Sequence, residues 1–210
     1  MPPSSYCTVA ELKEWLQIVD SLDDTLLDRI VSSVSRWIDG YCQRQFWLDT
    51  AAPARTYVPD DWYCLPIDDV GDQTGFQVST DASGDGIFET TWAASDYQLL
   101  PVNAPWEGPE PRPWNEVRAV GAHLFPLVYG SALLRRNRVE VTARWGWPAV
   151  PDAVAQACVM QASRVFKRRD SPQGVLGGGD FGVIRVTARL DPDVEEMLAD
   201  YRAGTVVNLA

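Results

Sequence analysis

The sequence predicts an α+β protein: a small helical bundle core of about four helices, with a β-rich insertion between helices 2 and 3. Two observations carry this expectation. Apolar residues recur with a period near 3.6 towards both ends of the chain, the pattern of helices that bury one face. Between those ends Pro and Gly come often, and short runs alternate or favour β-branched residues, as strands bounded by turns do. The organisation that follows is 1–50, the first half of the helical core; 51–147, the insertion; and 148–210, the second half, with a glycine-rich loop and an apolar tail. No internal repeat is visible.

The first helix starts at Thr8-Val9-Ala10-Glu11, a capping-box pattern in which Thr8 takes a free backbone N–H and Glu11 reaches back. Val9, Leu12, Trp15, Leu16 and Val19 then recur at helical spacing. After Ser21-Leu22-Asp23-Asp24 a longer helix runs to about Tyr41. Its apolar stripe is Leu26, Leu27, Ile30, Val31, Val34, Trp37, Ile38 and Tyr41, with Asp28, Arg29, Ser32, Ser33, Ser35 and Arg36 on the other side. Gly40 sits where a helix terminates readily.

In the insertion, Arg55–Val58, Gly75–Val78 and Arg138–Ala143 read as strands, and Asp81-Ala82-Ser83-Gly84-Asp85-Gly86 as a hairpin loop. Pro101 to Pro113 reads as an extended loop. Helical texture returns at Val150-Pro151-Asp152, with Pro151 at a first helical position. Val154, Ala157, Cys158, Gln161, Ala162 and Val165 share a face, and Lys167-Arg168-Arg169 complements the helix C-terminus. Ser171 to Asp180 reads as a flexible loop and Val183 to Arg189 as a strand. Asp191-Pro192-Asp193 opens a last short helix that closes at Arg202-Ala203-Gly204.

Composition narrows the function. With 46% hydrophobic residues in 210, the chain builds a core without disulfides or metals. Cys7, Cys42, Cys64 and Cys158 show no CxxC pair and the chain has one His, so a zinc site is not expected and the thiols read as reduced. No secretory segment and no membrane-length apolar run is visible. The net charge is −11, and it is uneven: residues 1–100 hold 17 acidic and 5 basic residues, residues 101–210 hold 12 and 13. Such a chain is a poor wrapper of nucleic acid, which needs clustered cations. It suits a surface that DNA slides past, or else the acidity simply keeps the protein in solution.

No motif points to catalysis. His123 lies in Gly121-Ala122-His123-Leu124-Phe125 without a Ser or Cys nucleophile beside it, and reads as structural. Asp60-Asp61 and Asp68-Asp69 read as solvated turn carboxylates. Asp81, Ser83 and Asp85 resemble the start of a calcium loop, but Trp92 stands at the twelfth position where a carboxylate belongs. A hairpin turn is the better reading, with an adventitious site at Asp81, Asp85 and Glu89 as the alternative. Gly177-Gly178-Gly179 lacks the ending of a phosphate-binding loop. No catalytic residue, cofactor or resident metal is therefore assigned.

The basic clusters are Arg135, Arg136 and Arg138, with Arg164, Lys167, Arg168 and Arg169. Sixteen of the 18 basic residues are Arg, which favours bidentate contacts with carboxylates. In an acidic chain these clusters suit the acidic face of a neighbouring copy, or else a solvated surface. Val206, Val207 and Leu209 make the last residues apolar, as in a segment that docks on a partner or folds back on its own core.

The Thr8–Glu11 start, the helix running into Cys42-Gln43-Arg44-Gln45-Phe46, and Pro151 to Arg169 followed by Asp170-Ser171-Pro172-Gln173-Gly174-Val175 resemble head–tail connector (adaptor) proteins of long-tailed bacteriophages. The insertion resembles versions from phages of actinobacteria, notably Asp85-Gly86-Ile87-Phe88-Glu89 and Asp96-Tyr97-Gln98-Leu99 through Pro101-Val102-Asn103-Ala104. The resemblance implies a non-enzymatic virion protein of the neck, assembled in the host cytoplasm. It implies a ring, typically twelvefold, joining the portal protein to a stopper or tail-completion protein around a DNA lumen, with no membrane contact. It also implies that the C-terminal region, Asp191 to Ala210, docks on the portal, which makes Tyr201, Arg202, Val206, Val207 and Leu209 candidate contacts. The competing readings are a small-ligand or carbohydrate-binding module with Trp62, Trp92, Trp106 and Trp114 as stacking platforms, and a hydrolase using the Asp pairs.

Overall fold

The computed structural model describes residues 5–104, 111–127, 138–170, 175–176, 184–185 and 190–204. It is an α+β protein with four α-helices and a six-stranded antiparallel sheet among these residues. The chain divides into two compact units: Met1–Arg44 with Val150–Ala210, and Gln45–Ala149. No helix among the described residues is long and apolar enough to cross a membrane.

In the first unit α1 (Val9–Leu16) carries the expected capping box: Thr8 Oγ1 accepts from the Glu11 N–H, and the Glu11 carboxylate accepts from the Thr8 N–H. The helix stops earlier than its apolar spacing suggests, because Gln17 turns left-handed at φ 59°. That removes Val19 from the helix and leaves it 98% exposed; Trp15 is half exposed. Helix α2 (Asp24–Cys42) buries Leu27, Val31, Val34 and Ile38 as its stripe requires. Gly40 lies inside it, and the left-handed residue that ends it is Gln43 (φ 55°). Ser35, placed by its spacing on the polar side, is fully buried: its hydroxyl donates to the Val31 carbonyl and accepts from the Tyr6 N–H.

Helix α3 (Asp152–Lys167) packs on α1, α2 and α4 (Pro192–Leu198), which explains why it buries Val154, Ala157, Cys158, Val159, Gln161, Ala162 and Phe166. Pro151 caps it from outside rather than opening its first turn. Each large apolar side chain fully buried in this way stabilises the fold by about 1.5–3 kcal/mol. Beyond a 3₁₀ turn (Arg168–Asp170), Val175–Leu176 (β7) pairs antiparallel with Ile184–Arg185 (β8). The expected loop Ser171–Asp180 thus contains a strand, and the expected strand Val183–Arg189 is described over two residues. The triple glycine lies outside the described residues.

The second unit is built on β2 (Cys64–Thr80), a 17-residue strand. Its first half pairs with β5 (Trp114–Ala119) and its second half with β6 (Val139–Trp145), with register shifts between. The order is β1-β6-β2-β5-β4, where β1 is Ala54–Tyr57 and β4 is Tyr97–Leu100; β3 (Thr90–Thr91) pairs with the end of β2. Pro66 is tolerated because pairing with β6 begins at Val70, so one side of β2 is an edge there. Along β6, Val139, Val141, Ala143 and Trp145 point inward and join Val78, Val117 and Phe125 in one core.

The carboxylate pairs are not simply solvated. Asp68 ion-pairs with Arg55 (2.7 Å) and accepts from the Tyr57 hydroxyl, and Asp69 accepts from Trp147 Nε1. Asp61 accepts from the N–H groups of Tyr63 and Cys64, which hold its carboxyl low. His123 sits against Trp92 with its Nε2 3.5 Å from Asp96, a structural role.

Candidate assembly surface

The last turn of α3 presents Arg164, Lys167 and then Arg168 and Arg169 of the 3₁₀ turn, since a cation is favoured at a helix C-terminus. Both Arg164 and Arg169 are engaged within the chain. Arg164 pairs with the buried Asp191, and Arg169 pairs with Asp23 (2.7 Å) while its guanidinium lies 4.7 Å from the Phe166 ring centroid. Lys167 is exposed and Arg168 half-buried. Arg138, in the second unit, donates to the carbonyl of Ala82 (2.9 Å) and to that of Asp81, and so braces the hairpin loop. Arg135 and Arg136 lie outside the described residues.

The C-terminal region is tied down before the tail begins. Tyr201 is buried, the Arg202 guanidinium stands 5.2 Å from the Tyr41 ring centroid, and the Ala203 N–H donates to the Cys42 carbonyl. Arg202 and Ala203 therefore sit at the C-terminal end of α2, and the tail is launched from there. Val206, Val207 and Leu209 lie outside the described residues.

A feature that the sequence did not reveal is a cleft of about 490 Å³ between α1 and α3, lined by Glu11, Glu14, Trp15, Asp152 and Val159 among others. Its lining sets three carboxylates beside Trp15, Ala155 and Val159. Beyond it the α1–α2 connection leaves Val19 and Leu22 98% and 89% exposed. The sequence hid this surface because nothing in it marks Gln17 as the left-handed stop; Trp15 and Val19 fit a buried stripe equally well.

The hairpin loop between β2 and β3 gathers Asp81, Asp85 and Glu89 with carboxylate oxygens within 4.8 Å of one another. Asp81, though buried, is already engaged: it accepts from the N–H groups of Gly84 and Gly86 and from the Ser83 hydroxyl. Burial pushes its carboxyl up, yet these bonds and the Arg138 charge outweigh it and hold it low. That donor set, with a guanidinium beside it, fits a self-satisfied turn better than a cation site.

Of the proposed stacking platforms, Trp92 and Trp114 are core residues, with Trp92 stacked on Phe125 at 4.9 Å; Trp62 is 37% exposed and Trp106 lies outside the described residues.

Comparison with known proteins agrees with the resemblance read in the sequence. Residues 6–68, under a third of the chain, match the model of the phage gp6-like head-tail connector protein family. No curated protein sequence matches the chain. Among solved structures, a chain in the neck of an empty gene transfer agent particle, computed with C6 symmetry, shares the fold at a TM-score of 0.55 and 23% identity, over 99% of this chain and 95% of that one. A chain in the neck of the native particle, computed with C12 symmetry, gives 0.50 and 21% identity over 95% and 90%.

Proposed function

We propose that this protein is a structural head–tail connector of a phage or phage-like particle, a subunit of a neck ring that joins portal to stopper or tail around the DNA channel. The observation that carries the reading is the family match at 6–68, which spans α1, α2, β1 and the start of β2. The shared fold with neck chains supports it over nearly the whole length. The helical unit is the ring-forming core, and Gln45–Ala149 is inserted in the chain between α2 and α3.

The ring contact is heterologous. The acidic cleft of one copy (Glu14, Trp15, Asp152) receives a basic, partly apolar element of the next, for which Lys167 and the Arg135–Arg136 pair are the candidates. Such pairing sets register, and closure of the ring makes weak contacts firm. The excess of acid in residues 1–100 suits a lumen that must not bind its cargo. Arg164, Arg169 and Tyr201 hold the subunit together, and the tail Thr205–Ala210 docks on the portal through Val206, Val207 and Leu209.

The test is a chain that ends at Gly204. It keeps its helical circular dichroism and unfolding midpoint but loses at least tenfold in affinity for portal rings. Unaltered portal binding would contradict the tail's role, and a chain that no longer folds would assign the tail to the core.

A further inference from the structure

We propose that Cys7 and Cys158 are an oxidation site: a dithiol that closes to a disulfide when the protein meets a peroxide, stapling the segment before α1 onto α3. The inference is independent of the function proposed above.

The two sulfurs are 3.3 Å apart, with the Cys7 thiol donating to Cys158 Sγ, and they lie 151 residues apart in sequence. Bonding distance is about 2.05 Å, so closure needs roughly 1.3 Å of approach. What makes the pair more than a chance contact is how firmly its surroundings hold it. The Tyr6 N–H donates to Ser35 Oγ at 2.9 Å, and Ser35 Oγ lies 3.5 Å from Cys158 Sγ. The Tyr6 hydroxyl donates to Asp39, which is ion-paired with Arg36 at 3.0 Å, and the Arg36 guanidinium covers the Tyr6 ring. Cys7 is therefore held beside Cys158 by bonds that fix its neighbour Tyr6 on α2 and do not involve sulfur. The other two thiols are differently placed: Cys42 is buried in α2, where burial pushes its thiol up to about 12, and Cys64 is in the second unit.

Access is from the cleft between α1 and α3, which Cys7 lines; Cys158 lies behind it, fully buried. The cleft admits a small oxidant such as hydrogen peroxide. Cys7 sulfur attacks one peroxide oxygen, the O–O bond breaks, and a sulfenic acid and one water result. Cys158 sulfur then attacks Cys7 sulfur, the S–O bond breaks, and the departing hydroxide takes the Cys158 proton as a second water. Two thiols are oxidised and one peroxide is reduced to two waters. The hydrogen bond to Cys158 and burial hold the attacking Cys7 thiol above its ordinary range, and it is the thiolate that reacts. Closure is consequently slow at neutral pH and faster in mild alkali. A reducing cytoplasm keeps the pair open and an oxidising exterior closes it.

The test uses the full chain. After exposure to hydrogen peroxide, remaining thiols are alkylated in denaturant and the protein is cut with trypsin without reduction. The expected product is peptide 1–13 linked to peptide 145–164, each holding one cysteine of the pair, and released by a phosphine. The staple closes a loop longer than 100 residues, so Tm rises by about 5 °C or more on oxidation and falls back on reduction. Peptides that both carry the alkyl label, or Cys7 found as a sulfinic acid or joined to another cysteine, would overturn the proposal. A Cys64→Ser chain must give the same linked pair; if it does not, the pairing arises from scrambling and the proposal fails.

Discussion

Arg164 of α3 is ion-paired with Asp191, and the same Asp191 caps α4 by accepting from the Asp193 N–H while its own N–H donates to Gln161. One buried carboxylate thus joins two helices that the chain separates by 27 residues, from 164 to 191. Replacing it removes the α4 cap and the buried ion-pair partner of Arg164, while the backbone bond to Gln161 remains. Asp191→Ala is expected to lower stability by about 2–3 kcal/mol in urea unfolding. Arg164→Ala is expected to cost less, about 1 kcal/mol, because the guanidinium is half exposed. Equal, negligible effects would place both residues outside the fold's support.

Gly146 makes a second test. Its φ is +105°, and a Cβ there would stand 1.7 Å from the Trp47 carbonyl oxygen. Gly146→Ala is expected to cost about 4 kcal/mol or more, or to prevent the second unit from folding. Retained near-ultraviolet dichroism from the buried Trp145 and Trp147 would contradict the close approach.

Acid should act on the second unit first. Asp61, Asp72 and Asp96 are held low chiefly by backbone N–H groups, and Asp81 is held low by such bonds against its burial. A carboxyl lowered in the folded state contributes stability that is present above its unfolded value and lost as pH falls through the folded one. Stability of this unit is therefore full above about pH 5 and declines below about pH 4. In the first unit Asp39 opposes this trend: burial raises its carboxyl more than Tyr6 and Arg36 lower it, so its contribution fades as pH rises instead. Tryptophan fluorescence between pH 7 and pH 2.5 reports chiefly on the second unit, which holds seven of the nine tryptophans. A transition that starts in the first unit would refute the assignment.

Glu14→Lys reverses one charge on the cleft rim, where the side chain is exposed. Stability is expected to stay within about 0.5 kcal/mol, as for surface substitutions. Self-association, or loading onto portal rings, should weaken by about tenfold. Undiminished assembly would move the ring contact elsewhere.

The helices were legible because their signals are local. Thr8 and Glu11 make a cap by spacing alone, and the α2 stripe from Leu27 to Ile38 repeats without interruption. The sheet was legible where alternation is clean, as in β6, and hidden where partners override propensity. In β2, Pro66, Asp68, Asp69 and Gly71 look like a turn, yet pairing with β5 and β6 keeps the strand extended. Strands β4 and β5 lack any local mark and exist through that same pairing. At the candidate surface, net charge located the cations but not their partners: Arg164 and Arg169 meet acids 27 residues downstream and 146 residues upstream, which no local pattern encodes. The cleft escaped notice for the reason that exposed Trp15: a left-handed Gln17 leaves no compositional trace.

The central claim is assembly, and mass photometry of the purified protein, alone and mixed with portal rings of the same particle, tests it most directly. Ring-sized particles, or portal complexes that gain about a dozen subunits in a closed ring, are the expected result. A monomer that leaves portal rings at their own mass would contradict the account.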